Sequence, residues 1–147
     1  METQSAALLV DDDPHVTDIL RLAVAGKPLT LDVAYNLPTA IRCLDSSRYS
    51  VVIVDLELPQ GSGFDVLRYM SGRRIALPTV VISRRLTESV REMLAREHVK
   101  LILAKPFKSS LLVTVVLGLC SVGEGGGDRR YAAPDELRDA DSLRRGL

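Results

Sequence analysis

The chain has 147 residues, 46% of them hydrophobic, and its 19 Lys or Arg are balanced by 19 Asp or Glu, for a formal net charge of zero. That is the composition of one ordinary globular domain with a full core. It carries no basic excess for nucleic acid or an anionic membrane surface, so any charge-based function must be local.

Cys43 and Cys120 form no CxxC pair, which argues against a zinc site or a disulfide framework. The residues before Asp11 are too few for a signal peptide, and no apolar run approaches the roughly 18 residues of a membrane span. A cytoplasmic protein without membrane association is expected.

The first apolar run, AALLV (6–10), is followed at once by Asp11, Asp12 and Asp13. Pro14 suits a first helical turn, and Val16, Ile19, Leu20, Ala23 and Val24 then share one face. LTLDVA (29–34) alternates like an edge strand, and a helix over about 38–47 turns Ala40, Ile41 and Leu44 inward. SVVIVD (50–55) precedes a helix near 63–71 that uses Phe64, Leu67 and Met70. LPTVVIS (77–83) precedes one near 87–97 that uses Val90, Met93 and Leu94, and KLILA (100–104) is the fifth strand.

The last helix, SSLLVTVVLGLC (109–120), is apolar almost all round. Burial of one face does not absorb Leu111, Leu112, Val115, Val116 and Leu119 together with Val113 and Leu117. A docking or homodimer surface of the fourth helix, fifth strand and fifth helix is therefore expected, with a fold-back of the tail through Leu137 and Leu143 as the rival. SVGEGGGDRR reads as a glycine-rich linker and PDELRDADSLRRGL as a mixed-charge tail, giving a domain over 1–120 and a linker and tail over 121–147. GEGGG has no strand before it and no P-loop lysine after it, so it is no phosphate cradle.

Five alternations of strand and helix, with four strands nearly continuously apolar, predict an α/β fold. The expected form is a flavodoxin-like (βα)5 three-layer sandwich with right-handed crossovers and parallel sheet order 2-1-3-4-5. Ligand chemistry then belongs at the carboxyl ends of the strands. There the first strand delivers Asp11 and Asp12, the third Asp55, the fourth Ser83 and the fifth Lys105.

Clustered carboxylates repel one another and demand a cation. Oxygen donors without His or Cys suit a hard ion, and a small cluster with room for waters suits Mg²⁺. A carboxylate beside Mg²⁺ and a lysine can attack phosphorus and form an acyl phosphate.

On these residues the chain resembles the receiver domain of two-component response regulators, from residue 6 to about residue 120. LLVDDDPH is similar to the acidic-pair motif, IVDLELPQGSGFDVL to the phosphoacceptor motif, PTVVIS to the hydroxyl motif and AKPF to the lysine motif. The resemblance implies Asp55 as phosphoacceptor, with Ser83 and Lys105 contacting the phosphoryl group. Metal ligands would be Asp11, Asp12, Asp55 and the main-chain carbonyl of Glu57, whose side chain would turn outward. Pro59 and Gly63 would be turn residues, and the Lys105-Pro106 bond would be cis. Asp13 is expected to face outward near the helix start, where its charge suits the dipole.

The implied role is a single-domain signalling switch, not an enzyme beyond its own phosphorylation and slow dephosphorylation. Its partners would be a histidine kinase or His-phosphotransfer protein and a downstream protein, with no nucleic acid bound by this chain alone. The rivals are a phosphohydrolase with Asp55 as nucleophile and a docking module that does not use phosphorylation.

Three places depart from the family pattern, one of them the usual Gly/Ala-rich turn before the fifth strand, which is replaced by REHVK (96–100). Arg84, followed by Arg85, stands where the family usually has a small residue, and either could pair with Glu57 or the phosphoryl group and gate the site; the bland reading is that both project into solvent. Ile102 replaces the usual aromatic switch residue. His15 and His98 read as surface residues.

Overall fold

Strands that are apolar at consecutive positions need cover on both faces, because successive side chains point to opposite sides. The structure, a computed structural model, describes residues 5–124, with side chains described through Cys120. Its elements are β1 (Ser5–Val10), α1 (Pro14–Val24), β2 (Leu29–Ala34), α2 (Leu37–Ser46), β3 (Val51–Asp55), β4 (Glu57–Leu58), β5 (Gly61–Ser62), α3 (Gly63–Gly72), β6 (Thr79–Ser83), α4 (Glu88–Ala95), β7 (Leu101–Ala104) and α5 (Ser109–Glu124).

The five main strands form a parallel sheet in the order β2-β1-β3-β6-β7. Counted within that sheet, this is the expected 2-1-3-4-5 order. The antiparallel pair β4–β5 is an addition that two-residue strands are too short to announce by periodicity. Pro59 and Gln60 link them, and Gln60 has φ of 58°, the proline-then-left-handed order of a type II turn.

Alternation divides the sheet into two cores. Ala7, Leu9, Val51, Ile53, Val80, Ile82, Leu101 and Leu103 face α1 and α5. Leu8, Val10, Val52, Val54, Val81 and Ile102 face α2, α3 and α4. Ile102 is thus a core residue, 4% exposed. Edge strand β2 alternates between covered and exposed positions, as its sequence predicts.

The apolar surplus of α5 proves smaller than expected. Leu112, Val115, Val116, Leu119 and Cys120 are buried, and Leu111 and Leu117 are half-buried against the same core. The reason is geometric: α5 lies against the sheet on one side and α1 on another, so two directions cover it. Val113 is left half-buried outside that core. The helix also runs past residue 120 to Glu124, short of the three consecutive glycines that follow. The predicted linker beyond it and the tail, with Leu137 and Leu143, lie outside the described residues.

Neither Cys43 nor Cys120 is in a disulfide. Among the described residues no helix is long and apolar enough to cross a membrane.

Gly63 opens α3 directly against the end of β3. A Cβ there would collide with the Asp55 carbonyl oxygen and lie 2.8 Å from Leu56 Cα. Both are backbone atoms, unable to step aside as a flexible side chain would. Gly63→Ala is expected to lower the unfolding free energy by about 1–3 kcal/mol, read as a lower urea midpoint at unchanged slope. An unchanged midpoint would contradict this close approach.

Candidate functional site

Strand alternation decides which site residues meet. Asp11 continues the Ala7/Leu9 row, Asp55 the Val51/Ile53 row and Lys105 the Leu101/Leu103 row, so all three leave the sheet on the α1/α5 side. Ser83 continues from Val81 and leaves on the other side. Main-chain bonds carry the ladder one step past the strand ends, with Asp11 N–H donating to the Ala34 carbonyl at 3.0 Å and Lys105 N–H to the Ser83 carbonyl at 2.8 Å. The Lys105-Pro106 bond that follows is cis.

Lys105 Nζ donates to Asp55 Oδ2 at 2.8 Å and to Asp11 Oδ2 at 3.3 Å, and lies 3.7 Å from Asp13 Oδ2. These groups are dry: Asp11 is 0% exposed, Asp55 3% and the lysine side chain 8%. The remaining carboxylate oxygens are tied to the backbone, Asp11 Oδ1 by the Asp13 N–H and Asp55 Oδ1 by the Glu57 N–H, each at 2.9 Å. Carboxylate oxygens of Asp11, Asp12 and Asp55 lie within 4.8 Å of one another, a grouping able to hold a metal ion, and Asp12 is exposed.

Asp13 does more than face outward. Its Oδ1 accepts from the His15 N–H at 2.9 Å and caps α1, while Oδ2 turns toward Lys105. An aspartate just before a first-turn proline is an N-cap signal legible in the sequence. His15 and His98 are both exposed.

Glu57 departs most from expectation. Its side chain folds inward: Oε1 accepts from Ser83 Oγ at 2.8 Å, Arg84 N–H at 2.9 Å and Arg85 N–H at 3.1 Å. The arginines therefore hold Glu57 through their main chain, not through guanidinium groups. The Arg84 guanidinium, 68% exposed, approaches Asp13 Oδ2 at 3.9 Å, a weak surface pair. The inward turn follows from the β4–β5 hairpin, which begins at Glu57 and redirects the chain after the strand.

The electrostatics reflect too many acids for one ammonium. Burial, then the hydrogen bond with the Glu57 carboxyl, pushes Asp55 from 3.8 up to about 8, with Lys105 opposing and Asp11 adding to the rise. Burial alone would also raise Glu57, but its bonds with Asp55, Ser83 and the Arg84 N–H hold it below the ordinary glutamate range. Lys105 is desolvated, yet its bond to Asp55 and the charge of Asp11 keep its pKa above the usual lysine value.

The donor set fits a hard dication. It is all oxygen, it carries more negative charge than Lys105 neutralises, and exposed Asp12 leaves room for coordinated water. A cavity of about 450 Å³, lined by Asp13, His15, Ile19, Arg84, Lys105 and Phe107, adjoins the cluster.

A doubly wound α/β domain with an acidic cluster and one buried lysine at the carboxyl ends of its strands belongs to a narrow class. Residues 7–117 match the response regulator receiver domain family, and the chain belongs to it. Such domains serve two-component signalling, in which response regulators interact with histidine kinases and downstream targets.

Among curated relatives, the C4-dicarboxylate transport transcriptional regulatory protein DctD of Pseudomonas aeruginosa is 35% identical over 118 residues, covering 78% of this chain and 25% of that protein. The transcriptional regulatory protein TrcR of Mycobacterium tuberculosis is 28% identical over 112 residues, covering 76% and 44%. The chain thus spans less than half the length of these relatives.

The solved receiver domain of a putative LuxO repressor protein from Vibrio parahaemolyticus superposes with a TM-score of 0.75 at 22% identity, covering 82% of this chain and 93% of that one. The receiver domain of the sensor histidine kinase PA1611 from Pseudomonas aeruginosa, with a magnesium ion coordinated in its active-site cleft, does so at 0.67 and 22%, covering 81% and 99%.

The raised Asp55 pKa sets a pH dependence for the metal-free protein. The fold favours protonated Asp55, so this contribution is complete below about pH 4 and is lost as pH rises through about 8. In chelator at pH 8, Asp55→Asn is expected to melt ~5 °C above wild type, the gap closing toward pH 4. Equal melting temperatures at pH 8 would contradict the assignment.

Proposed function

We propose that this chain is a phosphorylation-dependent switch in which Asp55 accepts a phosphoryl group from a phosphohistidine on a histidine kinase or His-phosphotransfer protein. The observation that carries the reading is the placement of Asp55. It ends the central strand β3, buried, with one oxygen on Lys105 and the neighbouring carboxylates of Asp11 and Asp12 beside it. Asp11, Asp12, Asp55 and the main-chain carbonyl of Glu57 are the groups we assign to Mg²⁺. When bound, Mg²⁺ neutralises charge on the phosphoryl oxygens and on the acidic cluster.

In the transfer, an oxygen of the Asp55 carboxylate forms a bond to phosphorus as the P–N bond to the donor imidazole breaks. The electron pair stays on the imidazole nitrogen, which takes up a proton. Lys105, already 2.8 Å from Asp55 Oδ2, transfers its ion pair to a phosphoryl oxygen, and the Ser83 hydroxyl donates to another. The cavity beside Lys105 gives the donor its approach. The chain modifies only itself, and slow hydrolysis of the acyl phosphate resets it. Output runs through contact with a partner protein or a second copy, on the face of α4, β7 and α5, in the cytoplasm.

A second reading gains from the inward Glu57. A carboxyl two residues after a nucleophilic aspartate can serve as the acid/base of a phosphohydrolase, and Glu57 interacts with both Asp55 and Ser83. Repeated turnover of a simple phosphate ester would favour that enzyme; one stoichiometric modification favours the switch.

With Mg²⁺ and acetyl phosphate, intact-mass measurement is expected to find one phosphoryl group on wild type, none on Asp55→Ala and none with chelator present. Wild type unmodified by acetyl phosphate and by a phosphorylated His-phosphotransfer protein would refute the reading.

A further inference from the structure

The Ser83 hydroxyl and the two main-chain N–H groups after it converge on one place, and a carboxylate fills it. Oε1 of Glu57 accepts from Ser83 Oγ at 2.8 Å, Arg84 N–H at 2.9 Å and Arg85 N–H at 3.1 Å. Successive N–H donors with a hydroxyl around a single anionic oxygen form an anion cradle. The Arg85 N–H also reaches Ser83 Oγ at 3.1 Å, which fixes the hydroxyl within the turn.

The other Glu57 oxygen, Oε2, is buried and receives no backbone N–H, hydroxyl or cationic side chain among the described residues. Burial of the carboxylate is unfavourable and calls for compensating donors. The three donors on Oε1 and the hydrogen bond with the Asp55 carboxyl supply them. Glu57 also interacts with the Asp55 carboxyl, so it spans the gap between Asp55 and Ser83. A phosphoryl group carried on Asp55 and reaching Ser83 would need the same gap.

Resting on the phosphoacceptor reading above, we propose that the Glu57 carboxylate occupies the seat of an incoming phosphoryl oxygen. Phosphorylation then requires the Glu57 side chain to swing out. Glu57 is a gate that lowers the fraction of molecules ready to react, and the apparent affinity for a donor falls by that fraction. The gate is selective by nature. A protein donor whose docking draws Glu57 outward overcomes it with binding energy, whereas a small donor has none to spend. The competing explanation is a brace: Glu57 only orders the turn between β6 and α4, and removing it would disorder the Ser83 hydroxyl and slow transfer.

The test compares full-length wild type, Glu57→Ala and Glu57→Asp, each with Mg²⁺ and acetyl phosphate, by rate of intact-mass change. The gate predicts that Glu57→Ala reacts about tenfold faster. Glu57→Asp keeps the charge on a shorter stem that falls short of the cradle, and it should follow Ala. If Asp behaves as wild type, charge repulsion and not seat occupancy is responsible, and the proposal fails.

Slower reaction of Glu57→Ala would establish the brace, and an equal or slower rate would overturn the gate while leaving the phosphoacceptor reading intact. Absence of modification in every protein, with acetyl phosphate and with a phosphorylated His-phosphotransfer protein alike, would overturn that reading and the gate with it. Amide ¹⁵N–¹H resonances of Arg84 and Arg85, recorded without donor, check the contact independently of transfer. They should shift on Glu57→Ala, and unchanged resonances would overturn the proposal.

Discussion

One ammonium group holds the functional end of this molecule together. Lys105 Nζ meets Asp55 at 2.8 Å, Asp11 at 3.3 Å and Asp13 at 3.7 Å, in surroundings that exclude nearly all water from the first two. Removing charges from water is costly, and one lysine does not balance this many acids. The imbalance surfaces at Asp55, whose carboxyl is pushed up to about 8. A site under such tension gains from a dication. The strain is local to the carboxyl ends of the strands and rests on two well-packed cores below.

Strand geometry gives this cluster its composition. The parity of β1, β3 and β7 sends Asp11, Asp55 and Lys105 to one side of the sheet, while the parity of β6 sends Ser83 to the other. The site therefore has two halves, a cationic and acidic half over α1 and α5, and a donor half at the turn leading to α4. Glu57 is the link between them. Its main chain bonds Asp55, and its side chain bonds Ser83 and the turn behind it.

Much of this was legible from residue types alone. Val, Ile and Leu runs marked the buried parallel strands, and each functional side chain sits at or just past the end of such a run, so fold order and side-chain parity already bring Asp11, Asp55 and Lys105 together. What stayed hidden depends on backbone dihedrals outside regular elements. The direction of Glu57 is set where β3 gives way to the β4–β5 hairpin, with left-handed Gln60 at its turn, and no hydrophobic period extends there. The engagement of Arg84 and Arg85 through N–H groups is likewise invisible in a sequence that advertises only their charge. The surface read on α5 shrank because α1 covers part of what periodicity left exposed, a packing relation between helices distant in the chain.

The acidic cluster is short of one cation. Isothermal titration of the protein with Mg²⁺ at pH 7, repeated in buffers of different ionisation enthalpy, measures this directly. Binding of one ion with release of protons, because Asp55 gives up its share on meeting the metal, is the predicted result. Asp55→Asn should abolish both the heat and the proton release. Absence of binding, or binding that Asp55→Asn leaves unchanged, would contradict it.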